Sequence, residues 1–227
     1  MRTPFTGVGT ALVTPFTTSG DLDEAAVRRL ARRQIEAGVH FLCPCGTTGE
    51  NPTLTAAERL KVIEIVVEES TGKVPVLAGA GGYDTRELIH SAAEMARRGV
   101  TGFLSVTPYY NKPTQEGLYQ HYRAFAESTP LPIIVYNVPG RTGVNVEPAT
   151  VARLAQIANI VGVTEASGNV GQMTEILHVV PKAFRVPPGA DPFTLPPVAI
   201  CRRRHRSVAG AGDPGRIAPM VGAAHAA

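Results

Sequence analysis

Short apolar runs alternate along this chain with amphipathic stretches. The pattern repeats at roughly 25–35 residues, the scale of one strand–helix unit. The runs predict strands at Val8–Val13, His40–Pro44, Val74–Gly79, Gly102–Thr107, Pro132–Asn137 and Ile160–Thr164, with a weaker seventh at Ala183–Val186. They are apolar on both faces, as strands buried in a parallel sheet are. The intervening stretches carry helical spacing. Asp21 to Ala37 repeats Leu22, Ala26, Leu30 and Ile35. Thr55 with Glu58 three residues on forms a capping-box pattern. Asp84 or Thr85 opens a third helix that Gly99 stops, and Thr114 opens a fourth. Glu147–Ala158 and Val170–Val180 complete the series, the last ended by Pro181.

Regular alternation builds a parallel sheet, either a barrel or a doubly wound sheet. Seven or eight units fit one domain over residues 1–227. The unusual residues follow nearly every strand, and only a barrel gathers all strand C-termini on one face. The expected fold class is therefore α/β, a (β/α)₈ TIM barrel.

Composition changes this picture little. The net charge of +3 is mild, and much of the excess lies in Arg202, Arg203, Arg204 and Arg206, so a nucleic-acid partner has little support. No apolar run is long enough to span a bilayer, and Met1–Phe5 leads into no signal-type segment; a cytoplasmic location is expected. Cys43, Cys45 and Cys201 are too few and too oddly spaced for a disulfide framework or a zinc knuckle. They read as packed thiols. No glycine-rich nucleotide loop follows a strand.

The chemistry lies at the strand ends. After the second strand, Gly46-Thr47-Thr48-Gly49-Glu50 offers hydroxyls and free backbone N–H groups suited to a carboxylate; plain turn capping is the bland reading. Gly79-Ala80-Gly81-Gly82 permits close approach or is simple turn chemistry. Tyr109 and Tyr110 are packing aromatics or a phenol for proton transfer. After the fifth strand, Tyr136 precedes a Pro-Gly turn that presents Arg141, a bidentate partner for a carboxylate or a member of a structural ion pair.

The ordered set Cys45–Glu50, Ala78–Tyr83, Pro108–Asn111, Tyr136–Thr142 and Gly162–Asn169 resembles the dihydrodipicolinate synthase and N-acetylneuraminate lyase superfamily. It covers about the first 185 residues, and the Tyr136–Thr142 block favours the synthase branch. The resemblance implies condensation of pyruvate with L-aspartate 4-semialdehyde in lysine and diaminopimelate biosynthesis, without metal or organic cofactor. It implies a Schiff-base lysine at the end of strand six. It further implies that Tyr136, Thr47 and Tyr110 relay protons, with Tyr110 reaching a neighbouring subunit's site in a homotetramer. Thr48 would bind the pyruvate carboxylate, Arg141 the semialdehyde carboxylate, and Gly189 would line the floor.

Two departures stand out. Thr164 occupies the Schiff-base lysine position, and a hydroxyl cannot form an imine. Of the four lysines, Lys61, Lys73 and Lys182 are expected away from the strand-six end, and Lys112 follows the wrong strand. Turnover is expected to be very slow or nil. The alternatives are an impaired homologue that binds small carboxylates or serves as an assembly partner, and another pyruvate-dependent lyase or aldolase of the superfamily. The second departure is the stretch 187–227, where Cys201–Arg206 takes the place of an apolar eighth strand. Arginines in a barrel wall need partners. Over 197–213 the expectation is a local reading-frame slip, with a basic surface patch as the rival. The family's C-terminal helices are expected to be absent, leaving an irregular eighth strand and a doubtful tetramer.

Overall fold

The computed structural model describes residues 4–186. Within them the chain lays down β1 (Gly9–Ala11), α1 (Glu24–Glu36), β2 (Phe41–Cys43), α2 (Ala56–Ser70), β3 (Leu77–Gly81) and α3 (Thr85–Arg97). It continues with β4 (Gly102–Val106), α4 (Gln115–Glu127), β5 (Ile133–Asn137), α5 (Pro139–Thr142), α6 (Pro148–Leu154), β6 (Ile160–Glu165) and α7 (Val170–Val179). Every named strand pair is parallel and joins neighbours in sequence: β1 with β2, then β3, β4, β5 and β6 in order. A bridge between Leu42 and Val76 links the two groups, and one between Gly162 and Arg185 adds a seventh chain segment. This singly wound order, with helices outside, is the (β/α)₈ TIM barrel expected from the sequence. Gly189, Cys201, the arginine run, the 197–213 stretch and the place of the expected irregular eighth strand lie outside the described residues.

Strand parity separates two cores. One face of the strands packs with the helices in a large cluster that includes Leu42, Ala78, Phe103, Ile133 and Val135. The other fills the barrel lumen with Phe5, Phe41, Cys43, Leu77, Leu104, Ile134 and Val161. Phe5 packs edge-on against Phe41 at 5.6 Å and closes the bottom. A register shift between Ile133 and Ile134 puts Ile133 opposite Ile160 but Ile134 opposite Gly162. One extra residue on β6 reverses its parity. Beyond the shift Tyr136 is paired with Thr164, and Asn137 with Glu165.

Helix starts follow their caps. The Thr55–Glu58 capping box is formed as expected, and Asp84 caps α3 through the Arg86 and Glu87 amides. The first helix begins later than expected, because Asp23 accepts from the Ala26 amide. Between α1 and α2, the buried Glu69 carboxylate takes Arg32 and Arg28 at 2.6 Å each. Hydrogen bonds from Arg32, then Arg28, hold its acid well down, at about 2.

Four expectations shift. β1 is shorter than predicted, with Val13 exposed at the mouth. β3 runs on to Gly81, so the glycines at 79 and 81 are strand residues. At Gly79 a Cβ would lie 2.0 Å from the Cys45 carbonyl oxygen, and at Gly81 one would lie 2.4 Å from Val106. Tight lateral packing, not a turn, selects them. Helix α6 ends at Leu154, well before Ala158. Pro139-Gly140 is not a tight turn: Pro139 starts the one-turn α5, which Gly143 ends at φ +68°.

His121 on α4 is 6% exposed and lies 2.8 Å from the Thr85 hydroxyl through Nδ1. Burial pushes its imidazolium pKa from 6.5 down to about 4. Between those values the unfolded chain takes up a proton that the folded chain refuses. Stability is therefore full above pH 6.5 and falls as the pH drops toward 4, by about 3 kcal/mol over the whole window. Urea unfolding at pH 7 and pH 4 is expected to show that loss, and His121→Gln to shrink it. An unchanged pH slope in the variant would assign the acid sensitivity elsewhere.

Candidate active site

The loop after β2 is shaped by backbone constraints. Cys45 sits at φ +55°, and the Gly49 amide returns to the Gly46 carbonyl at 3.1 Å. Thr14 donates its hydroxyl to the Gly49 carbonyl at 2.7 Å, tying this loop to the one after β1. Because Gly79 carries no side chain, the Cys45 carbonyl can press against β3. Together these contacts hold Thr47 over the end of the barrel.

Thr47 is hydrogen-bonded there to the Tyr136 phenol. Tyr136 reaches up from β5, with its ring packed against the lumen core. Burial raises its phenol above the ordinary value, while the Thr47 hydrogen bond and the positive Arg141 pull the other way. The phenol is thus neutral near pH 7, with a partner for its proton. A cavity of about 300 Å³ opens at this point, lined by Thr47, Gly79, Leu104, Tyr109, Tyr136 and Arg141, among others. Arg141 comes from α5. Among the described residues no carboxylate lies within ion-pair distance of it, so the structural-pair reading finds no partner there.

The structure therefore brings together Thr47, Tyr136 and Arg141. Thr164 is buried beside Tyr136 in the strand register, 2% exposed, and its hydroxyl has no hydrogen-bond partner among the described residues. Thr48 is exposed and off the cavity wall. Tyr110 is 87% exposed at φ +71° and is not on this cavity's wall, its ring 6.3 Å from that of Tyr83. Gly189 lies outside the described residues. Lys61 pairs with Glu64 on α2. Lys112 is exposed and not on the cavity wall; its Cε lies 3.1 Å from where a Cβ of Gly143 would stand. Neither supplies an amine beside Tyr136.

Cys43 and Cys45 are free, buried thiols, as expected, each pushed up to about 12 by burial. Among the described residues no group of three His, Cys, Asp or Glu side chains could hold a metal ion.

Sequence reasoning missed what lies behind the cavity. Asn137 is fully buried and donates to the Glu165 and Asn145 side chains at 2.9 Å each, while it accepts from the Val146 amide at 3.0 Å. Glu165, 1% exposed, also accepts from the Ser167 amide at 2.8 Å and from Gln172 at 3.2 Å. Both residues directly follow the lumen-facing pair Tyr136 and Thr164, and strand alternation alone would have placed them together on the outer face.

Chemically, a neutral phenol bonded to a hydroxyl can pass a proton, and an unpaired guanidinium can hold a carboxylate. An alcohol adds to a ketone only reversibly and cannot go on to a carbon–nitrogen double bond.

Residues 4–226 match the dihydrodipicolinate synthetase family. A 4-hydroxy-tetrahydrodipicolinate synthase of Koribacter versatilis is 49% identical over 219 residues, 96% of this chain and 73% of the relative. A dihydrodipicolinate synthase crystal structure from Aquifex aeolicus aligns with a TM-score of 0.92 at 40% identity, over 97% of this chain and 75% of that one. The Acinetobacter baumannii enzyme, crystallised with pyruvate, gives 0.92 at 38% identity, over 97% and 76%.

Proposed function

The chain belongs to the dihydrodipicolinate synthetase family, and on that premise we propose that its cavity is built to condense pyruvate with L-aspartate 4-semialdehyde, and that it lacks the amine which starts the reaction. The observation that carries this reading is the hydrogen-bonded Tyr136–Thr47 pair beside Arg141, which has no ion-pair partner among the described residues, with Thr164 in register with Tyr136.

In this scheme a lysine at residue 164 attacks the ketone carbon of pyruvate and water leaves. The resulting imine gives up a methyl proton, and the enamine carbon bonds to the aldehyde. Tyr136 carries those protons, with Thr47 as the neighbour that holds its phenol in place. Tyr110 completes the relay from a neighbouring subunit of a homotetramer; its exposure beside Tyr83 supports a contact with a second chain. Thr48, although its side chain stands off the cavity wall, helps through its loop to bind the pyruvate carboxylate, and Arg141 binds that of the semialdehyde. The enzyme is a cytoplasmic lyase of lysine biosynthesis by descent, without metal or organic cofactor.

With Thr164 in place this chain holds carboxylates without committing them to a covalent bond. The buried hydroxyl, without a hydrogen-bond partner among the described residues, favours that second reading of the present sequence. Borohydride reduction in the presence of pyruvate, read by intact mass, is expected to leave the chain unmodified; a stable adduct would overturn the claim of inactivity. Calorimetry with succinic semialdehyde tests the anion site. Arg141→Ala is expected to weaken binding by about 10- to 100-fold, the scale of a charged hydrogen bond. Equal affinity would remove Arg141 from the site.

A further inference from the structure

We propose that Glu165 and Asn137 form a positioning clamp, which sets the Tyr136 phenol and residue 164 in line by locking the ends of β5 and β6 from behind. The inference rests on the reading of Tyr136 as the proton carrier.

Two adjacent pairs lie across the same two strands: Tyr136 with Thr164, then Asn137 with Glu165. The first pair belongs to the site and the second is its backing. Glu165 is a buried carboxylate with no cation in ion-pair distance among the described residues. Such a group is costly to hold unless its lone pairs are met. Three donors meet them: the Asn137 amide, the Gln172 amide and the Ser167 backbone N–H.

The donors are themselves fixed in direction. Asn137 uses its oxygen for the Val146 amide, so its NH₂ must face Glu165 and Asn145. Gln172 and Asn145 exchange bonds in both directions at 2.8 and 3.0 Å. The network thus joins β5, β6, the start of α7 and the loop after α5 that follows Arg141. A glutamine at 165 would aim its NH₂ at a donor whichever way it turned, and the network would have to open. The displaced atoms are one residue from the Tyr136 and Thr164 backbones, in strands whose register fixes both side chains.

The test uses the full chain with ¹³C-labelled tyrosine, the Tyr136 ring being assigned through Tyr136→Phe. In Glu165→Gln the Tyr136 resonance is expected to move, and its titration midpoint to fall toward that of an ordinary phenol. Tyr122, which donates to the Ser105 carbonyl at 3.0 Å and takes no part in the network, stays unchanged and reports an intact fold. Gln172→Ala removes one donor at the partly exposed end of the network and gives a smaller shift of the same sign, should Glu165→Gln not fold. In a Thr164→Lys background, Glu165→Gln is expected to lower kcat at least about tenfold with KM within about twofold, and Glu165→Asp to fall between. A Tyr136 resonance and kcat unmoved by both variants would overturn the clamp. A Thr164→Lys chain without any turnover speaks against the synthase reading alone, since the ring readout in the unaltered background still decides the clamp.

Discussion

Thr164→Lys is expected to turn a chain that yields no borohydride-stable pyruvate adduct into one that does, and to raise turnover of pyruvate with aspartate semialdehyde by on the order of 10⁴-fold or more. Losing a covalent nucleophile acts on that scale, and restoring it should act on the same scale in reverse. The strand geometry supports so large a gain. Residue 164 is buried on β6, and its neighbour in register is Tyr136, whose phenol already has its Thr47 partner. An ammonium placed there loses hydration, so its acidity rises toward neutrality and more of it stands as free amine. Among the described residues the threonine hydroxyl makes no hydrogen bond that the change would break. Intact mass after reduction and a coupled turnover assay both read the result. A folded Thr164→Lys chain that traps nothing would show that the remaining groups no longer form a pyruvate site.

Gly79→Ala is expected to destabilise the fold by about 3–5 kcal/mol, close to the whole margin of a typical domain. The added Cβ would lie 2.0 Å from the Cys45 oxygen, 2.4 Å from its carbonyl carbon and 2.6 Å from the Gly46 nitrogen. All three are backbone atoms, so no rotamer change relieves the clash. The Gly79 amide also donates to the Pro44 carbonyl at 2.8 Å, and pushing β2 away stretches that bond. Gly140→Ala is the control: nothing lies within 4 Å of its Cβ, and a shift within about 0.5 kcal/mol is expected. Urea denaturation compares the two. If both variants unfold alike, the contact between β3 and the Cys45 loop does not constrain the chain.

The barrel was legible because its middle strands are plain. Phe103-Leu104, Ile133 to Val135 and Ile160 to Val163 are apolar whichever way they face, and each is followed by a helix with its own cap. What escaped was of two kinds. Glycine signals both a turn and a missing Cβ, and only the neighbouring strand decides between them; at Gly79 and Gly81 both readings stood open in the sequence, and the packing one holds. Short helices such as α5 carry too few residues for a period, so Pro139-Gly140 passed for a turn. Around the cavity, Thr47, Tyr136 and Arg141 stood out in the sequence because a hydroxyl, a phenol and a guanidinium at strand ends have obvious chemistry. Asn137, Asn145, Glu165 and Gln172 were not, because amide networks have no spacing of their own and take shape only when distant loops meet.

The slip in pairing at Ile133 and Ile134 bears on how such a site can be lost or regained. Ahead of it, odd-numbered Val161 belongs to the lumen; beyond it, even-numbered Thr164 takes the place beside Tyr136. The barrel thus reads β6 like a code with one inserted letter. Single-base substitutions at codon 164 leave the frame of that code intact and can be reversed one codon at a time. Closing the slip without a deletion, so that Val161 paired with Ile134, would keep every amino acid yet turn Val163 and Glu165 toward the lumen and send residue 164 among the helices. A lineage that crossed that second boundary would hold a complete set of motif residues on the wrong side of the wall.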